Sequence, residues 1–164
     1  MKSYRFSPIT NAEQLNEALA YEVLEASKLC EKVTGELYPI ESVSIFAHDE
    51  KEYAFLSRLL GTLGASVGEN KGPRVTLHEP VVVGSNTVTH LRIRTPDDEH
   101  PQVGSNDFKV PDYFVFKSTY LSARPENLKL IVRPGYELIE MFDPTVDVLG
   151  YFLSEPERSK IGLV

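Results

Sequence analysis

The order of strand-like and helix-like segments constrains this chain more than any single motif, because that order runs twice. Strands show alternation and helices show apolar residues at steps of three and four. Residues 41–47 read as a strand following Pro39. Asp49 and Glu52 then form a capping-box pattern at the start of a helix whose buried face carries Tyr53, Leu56, Leu60 and Leu63. Gly61 and Gly64 weaken and end it. A short strand at 65–68 and a turn at Asn70-Lys71-Gly72-Pro73 lead to two long strands, 74–83 and 86–94, joined at Gly84-Ser85 as a hairpin. The order then recurs: a strand at 106–110, Pro111 opening a helix that continues over 113–121, a strand at 127–133, a Pro134-Gly135 turn, a strand at 136–142 and a further strand over 146–153. Polar residues 95–105 connect the two runs. The repetition lies in element order, not in residue-by-residue similarity.

Ahead of the first run, residues 1–10 read as an irregular lead and residues 11–34 as a long helix. Thr10 or Asn11 can cap it, and Gly35 is a natural stop. Leu15, Leu19, Val23, Ala26, Cys30 and Val33 form one apolar stripe. Cys30 on that stripe reads as a small core hydrophobe rather than a reactive thiol. Residues 1–164 form one expected α+β domain: lead and N-terminal helix over 1–40, a first unit over 41–95 and a second over 106–153. A chain of this size buries roughly 68–70% of its unfolded surface, enough for one core. The polar tail from Ser154 is expected to fray.

Charge excludes some functions. The net charge is −7 and the pI near 5.1, which argues against a nucleic-acid partner, since phosphate backbones need clustered Lys and Arg. No run of ~18 apolar residues predicts a membrane span. Residues 1–8 lack the apolar stretch of a signal peptide. A lone cysteine cannot form an internal disulfide, so a cytoplasmic location is expected.

Alternation then picks out candidate site residues. In 86–94, Val88, His90, Arg92 and Arg94 share one face, while Thr87, Thr89, Leu91 and Ile93 share the other. A His-Arg-Arg row can line an anion or carboxylate pocket, since guanidinium offers a planar fork. It can equally be the solvated face of an antiparallel sheet. In 136–142, Glu140 lies between Leu138 and Phe142 on one face. A carboxylate there must be paired, protonated or bound to a cation; it can ligate a metal, act as a base, or pair with Arg92 or Arg133. Asp107 and Arg133 are further candidates, each equally readable as a strand-end charge. His48, His78 and His100 fit no metal-ligand spacing, and no phosphate-binding glycine loop or nucleophile-elbow pattern occurs.

Two strand-helix-strands units in tandem resemble the vicinal oxygen chelate (VOC, glyoxalase/bleomycin resistance-like) superfamily. Val132-Arg133-Pro134-Gly135-Tyr136-Glu137-Leu138-Ile139-Glu140 is similar to its closing hairpin, in which a Pro/Gly turn precedes a strand carrying a metal-binding Glu. Leu77-His78-Glu79-Pro80-Val81-Val82-Val83, followed by Leu91-Arg92-Ile93-Arg94-Thr95-Pro96, resembles the YecM branch of metal-binding proteins. The likeness covers roughly residues 38–142. It implies two βαβββ units forming a cupped, mostly antiparallel sheet around a small-molecule site, with an extra N-terminal helix. Where the family offers His on the first strand, this chain has Ser42 or Ser44; its fourth-strand place falls at His90 or Arg92. The second unit offers Asn106 or Asp107, and Glu140 one residue out of register. The resemblance thus leaves His90, Asp107 and Glu140 as a ligand set for Zn, Fe, Mn or Ni.

Three functions follow as expectations. One is a divalent-metal-dependent lyase, isomerase or dioxygenase, with Glu140 as ligand or base and Arg92 or Arg94 orienting a substrate carboxylate. The second is a non-catalytic module holding a small anionic ligand with His90, Arg92, Arg94 and Arg133. The third is a protein-interaction domain that offers the helix 11–34 to a partner. The superfamily's modules sometimes pair between chains, which leaves a homodimer open.

Overall fold

The computed structural model describes Tyr4, residues 7–160 and Leu163. Half of the expected lead (residues 1–3, 5 and 6) and residues 161, 162 and 164 of the tail lie outside these residues. Helix α1 (Ala12–Thr34) forms where the apolar stripe predicts it. Asn11 Oδ1 accepts from the Gln14 amide, Gln14 Oε1 accepts from the Thr10 amide, and Gly35 ends the helix at φ 76°. All six stripe residues are buried. Burial pushes the Cys30 thiol up to about 11, which keeps it protonated and inert.

The chain continues through β1 (Ile40–Phe46), α2 (Glu50–Leu63), β2 (Gly64–Gly68), β3 (Arg74–Val83), β4 (Asn86–Arg94), β5 (Gly104–Phe108), α3 (Tyr113–Tyr120), β6 (Leu128–Arg133), β7 (Tyr136–Met141), β8 (Val148–Leu153) and α4 (Glu155–Lys160). All eight strands belong to one mixed sheet in the order β2-β3-β4-β1-β5-β8-β7-β6, open at β2 and β6. β1 pairs with β4 in parallel, as β5 does with β8. The other neighbours are antiparallel, including the central β1–β5 seam. The hairpins turn at Gly84 (φ 59°) and Gly135 (φ 82°) as the Gly-containing turns predict.

The sheet has one apolar and one polar face. Val43, Ile45, Leu91, Ile93, Phe108, Ile139 and Phe152 join the stripe of α1, Leu56 and Leu60 of α2, and Phe116 of α3 in one core. Phe152 stacks between Phe108 (5.0 Å) and Phe116 (4.0 Å). The alternate residues, among them Ser42, Ser44, Arg92, Asp107, Glu140 and Tyr151, face away from these helices. Because α1 lays its apolar stripe on the sheet, it is a core element of the fold. At the seam, Glu22 of α1 is fully buried and its Oε2 accepts from Asn106 Nδ2 at 2.7 Å.

Four local expectations are corrected. β5 begins at Gly104, not 106, because Val103 already bridges the Phe46 amide and the Asp147 carbonyl. α3 opens at Tyr113 rather than at Pro111, with Asp112 as the cap accepting from the Val115 amide. On α2, Leu56 and Leu60 are buried with Glu52, while Tyr53 and Leu63 are only half-buried. The tail does not fray at Ser154: α4 packs on β7, Arg158 lies 2.8 Å from Glu41, and Leu163 packs on Leu153. Among the described residues, no helix is long and apolar enough to cross a membrane.

Candidate functional site

Strand register decides which open-face side chains meet. One row runs across six neighbouring strands as Thr76, His90, Ser42, Asp107, Tyr151 and Glu140, each opposite the next. An adjoining row sets Arg74 opposite Arg92, Arg92 opposite Ser44 and Ser44 opposite Ser105. The polar face is therefore built by alternation on β1, β3, β4, β5, β7 and β8, and its composition changes sign across the seam.

These rows floor a cavity of about 220 Å³. Pockets for drug-sized ligands run to ~300–1,000 Å³, so this one suits a small molecule. Arg74, Arg92 and Arg94 line it from β3 and β4, Lys71 from the preceding turn, and Arg133 from β6. Asp107, Glu140 and Tyr151 line it from the other half, with Tyr136, Leu138 and Leu153 as apolar wall. Lys160 of α4 sits 5.4 Å over the Tyr136 ring, so the C-terminal helix props that wall.

Five cations thus surround one cavity in a chain of net charge −7. Two have carboxylate partners. Arg74 Nη1 lies 3.6 Å from Asp107 and donates to Ser42 Oγ at 3.0 Å. Arg94 donates to Asp97 at 2.9 Å and lies 4.6 Å over the Phe46 ring, with His100 bonded to the same Asp97 at 2.8 Å. Arg92 is held differently. Its Nε donates to Ser44 Oγ at 2.8 Å and its Nη1 to the Asn70 carbonyl at 3.2 Å. Among the described residues Arg92, Arg133 and Lys71 have no ion pair.

The electrostatic consequence is direct. Burial, reinforced by Arg74, pushes the Arg92 guanidinium down to about 10. Burial and then Arg94, Arg92 and Arg133 lower Lys71. Cations that depress one another mark a region of positive potential. On the other side, Tyr151 donates to Glu140 Oε2 at 2.9 Å. Burial, and then the Glu140 carboxylate, hold that phenol well above its ordinary range.

Of the residues predicted for the site, Arg92, Arg94, Arg133, Asp107 and Glu140 line this cavity, and His90 does not. Its ring bonds Thr76 Oγ1 at 3.1 Å and Thr89 Oγ1 at 2.8 Å, and burial lowers its pKa. The set His90, Asp107 and Glu140 shares one row but is separated by whole strands. At ~4.8 Å per strand, His90 and Glu140 are roughly 19 Å apart along the sheet. Among the described residues no three His, Cys, Asp or Glu side chains form a metal-holding group. The donor chemistry agrees: Ser42 and Ser44 accept from arginines, and Asp107 faces Arg74. These residues do not fit a divalent cation, which the surrounding guanidinium groups repel.

Sequence reasoning overlooked Arg74, Lys71 and Tyr151. Arg74 opens its strand and shows no alternation partner before it; only its register with Arg92 reveals it. Lys71 sits in a turn at φ 57°. Tyr151 belongs to a strand that reads as uniformly apolar.

No family model matches the chain, and no curated protein does. Among solved structures, a chain described as "Structural Genomics, Protein EC4020" is similar over 98% of this chain and 97% of its own, with a TM-score of 0.71 and 14% identity. At that identity the likeness shows the fold alone: α+β, with an eight-stranded mixed sheet.

Proposed function

We propose that this chain is a binding protein for a small anion, built as two tandem βαβββ units in a cupped sheet of the VOC type, close to the YecM branch. The architectural part is supported by strand pairing. β5 to β8 repeat the neighbour relations and directions of β1 to β4. The functional part is carried by one observation: Arg92 lies on the cavity with serine and carbonyl partners and, among the described residues, no counter-ion. A half-buried charge without a counter-ion is costly in a free protein. An oxyanion from solution supplies what the fold withholds, and guanidinium binds carboxylate or phosphoryl oxygens in a fork.

The test is a thermal-shift series with phosphate, sulfate, acetate and citrate at constant ionic strength. At least one is expected to raise the melting temperature of the parent protein and not of Arg92→Ala. If none does so beyond a chloride control, the reading fails.

The Tyr151–Glu140 contact favours a second reading, catalysis by proton transfer in a lyase or isomerase. Glu140 would accept a proton from carbon beside the bound carboxylate, and Arg92 would orient that carboxylate. Proton NMR in D₂O checks this. Protein-dependent exchange of the C–H next to the carboxylate of any bound acid, lost in Glu140→Gln, is the expected result. Binding without exchange leaves only the binding function.

A further inference from the structure

The cavity has a feature that a simple anion does not use. Among the described residues its lining carries unpaired charges of both signs, the cations Arg92, Lys71 and Arg133 and the carboxylate Glu140. Asp107 is already countered by Arg74. Glu140 is not: among the described residues it has no ion pair, and its one hydrogen-bond partner is the neutral Tyr151 hydroxyl. Among the described residues Arg92 also has no ion pair with a carboxylate, and it does not pair with Glu140 although both line the same space. The reason is the sheet. β4 and β7 are separated by β1, β5 and β8, so their backbones lie about four strand spacings, roughly 19 Å, apart along it. Asp107 and Tyr151 stand on the intervening strands, and the cavity opens above them.

Resting on the anion-binding reading, we infer that the ligand is an amino carboxylate, whose anionic end meets Arg92 and whose ammonium end meets Glu140. Such a zwitterion neutralises both walls at once. A plain carboxylate or phosphate leaves Glu140 uncompensated and brings a second negative charge toward it. A plain amine meets five cations. The ammonium also gives Glu140 a charged donor beside the Tyr151 hydroxyl, and charge-assisted hydrogen bonds are about twice as strong as neutral ones. The apolar wall of Tyr136, Leu138 and Leu153 suits the carbon chain between the two ends.

The experiment compares two series of probes by calorimetry: alanine, β-alanine, 4-aminobutanoate and 6-aminohexanoate, against the hydroxy acid of matching length for each. At one chain length or more, the amino compound is expected to bind at least about tenfold more tightly than its hydroxy partner. Glu140→Gln, which keeps an oxygen for Tyr151, should erase that preference while leaving the hydroxy acid bound. Glu140→Asp should retain part of it, and its melting curve shows whether the site is still folded. Equal binding of amino and hydroxy acids, or a preference that survives Glu140→Gln, overturns the inference and leaves the anion site standing. If neither series binds, the inference falls, and the phosphate, sulfate and citrate series decides the anion site by itself.

Discussion

The two halves of the sheet share a pairing scheme and differ in what they place on it. Ser44, Arg92 and Arg74 sit opposite one another on β1, β4 and β3. The matching positions on β5, β8 and β7 are Asp107, Tyr151 and Glu140. One backbone arrangement therefore displays a cationic group in the first half and an acidic, phenolic group in the second. Fold fixes where side chains meet, and residue choice fixes what they can hold. A symmetric set of donors around the seam would suit a shared metal; an antisymmetric set suits a ligand with two unlike ends.

The harshest way to break the comparison is to disturb the seam. In Gly104→Ala the new Cβ would fall 2.1 Å from the Ser44 carbonyl oxygen, in backbone that cannot yield. A loss of roughly 3 kcal/mol in urea unfolding is expected. Gly150→Ala, inside the second half, would meet the ends of the Met141 and Phe108 side chains instead and should lose less. Comparable losses would mean that the halves are not joined chiefly at the seam.

Opposite signs are the next expectation. Arg92→Ala should weaken phosphate or citrate binding roughly 30- to 1,000-fold, whereas Glu140→Gln should strengthen it several-fold by removing a like charge. Arg92→Met should also stabilise the free protein by about 1 kcal/mol, because an uncompensated cation is removed. Mutants that shift affinity in the same direction would dissolve the contrast between the halves.

Alkali offers a finer probe. Burial, with Arg74 beside it, pushes the Arg92 guanidinium down to about 10, below the ordinary arginine value. Anion affinity should therefore fall as pH rises through about 10, earlier than an exposed arginine would allow. The free protein feels the opposite sign from this group. Its folded form holds the proton less tightly than the unfolded chain, so the strain of the buried cation is relieved above that pH. Titration calorimetry across this range reads the first effect.

The smallest expected change lies beneath the seam. Burial drives the Glu22 carboxyl well above its ordinary value, with Asn106 opposing. A raised folded value makes its contribution greatest below the unfolded value and progressively lost as pH rises through the folded one. Glu22→Gln should flatten that slope and gain about 1 kcal/mol at alkaline pH, seen by unfolding at several pH values.

Much of this was legible from periodicity. The caps at Asn11 and Gly35, the turns at Gly84 and Gly135, and the faces carrying Arg92, Arg94 and Glu140 all depend on residues close in sequence. What escaped depends on partners far away. Val103 extends β5 only because Asp147 and Phe46 flank it, and Arg158 orders the tail only because Glu41 waits across the sheet. Register is the same kind of fact. Alternation put His90, Asp107 and Glu140 on strand faces, but only the strand order shows whole strands between them. Arg74 became visible for the same reason, through its place opposite Arg92.

Helix α1 is synthesised before the strands it packs on, and it contacts β1, β5 and β8. The last of these strands ends at Leu153. At ~5–20 residues per second a ribosome takes several seconds or more to cover that interval. Throughout it, the stripe from Leu15 to Val33 lacks its full cover, and the nascent chain carries an adhesive helix. Cellular yield should thus respond to chaperone supply and to codon choice in the second half more than equilibrium stability alone would indicate.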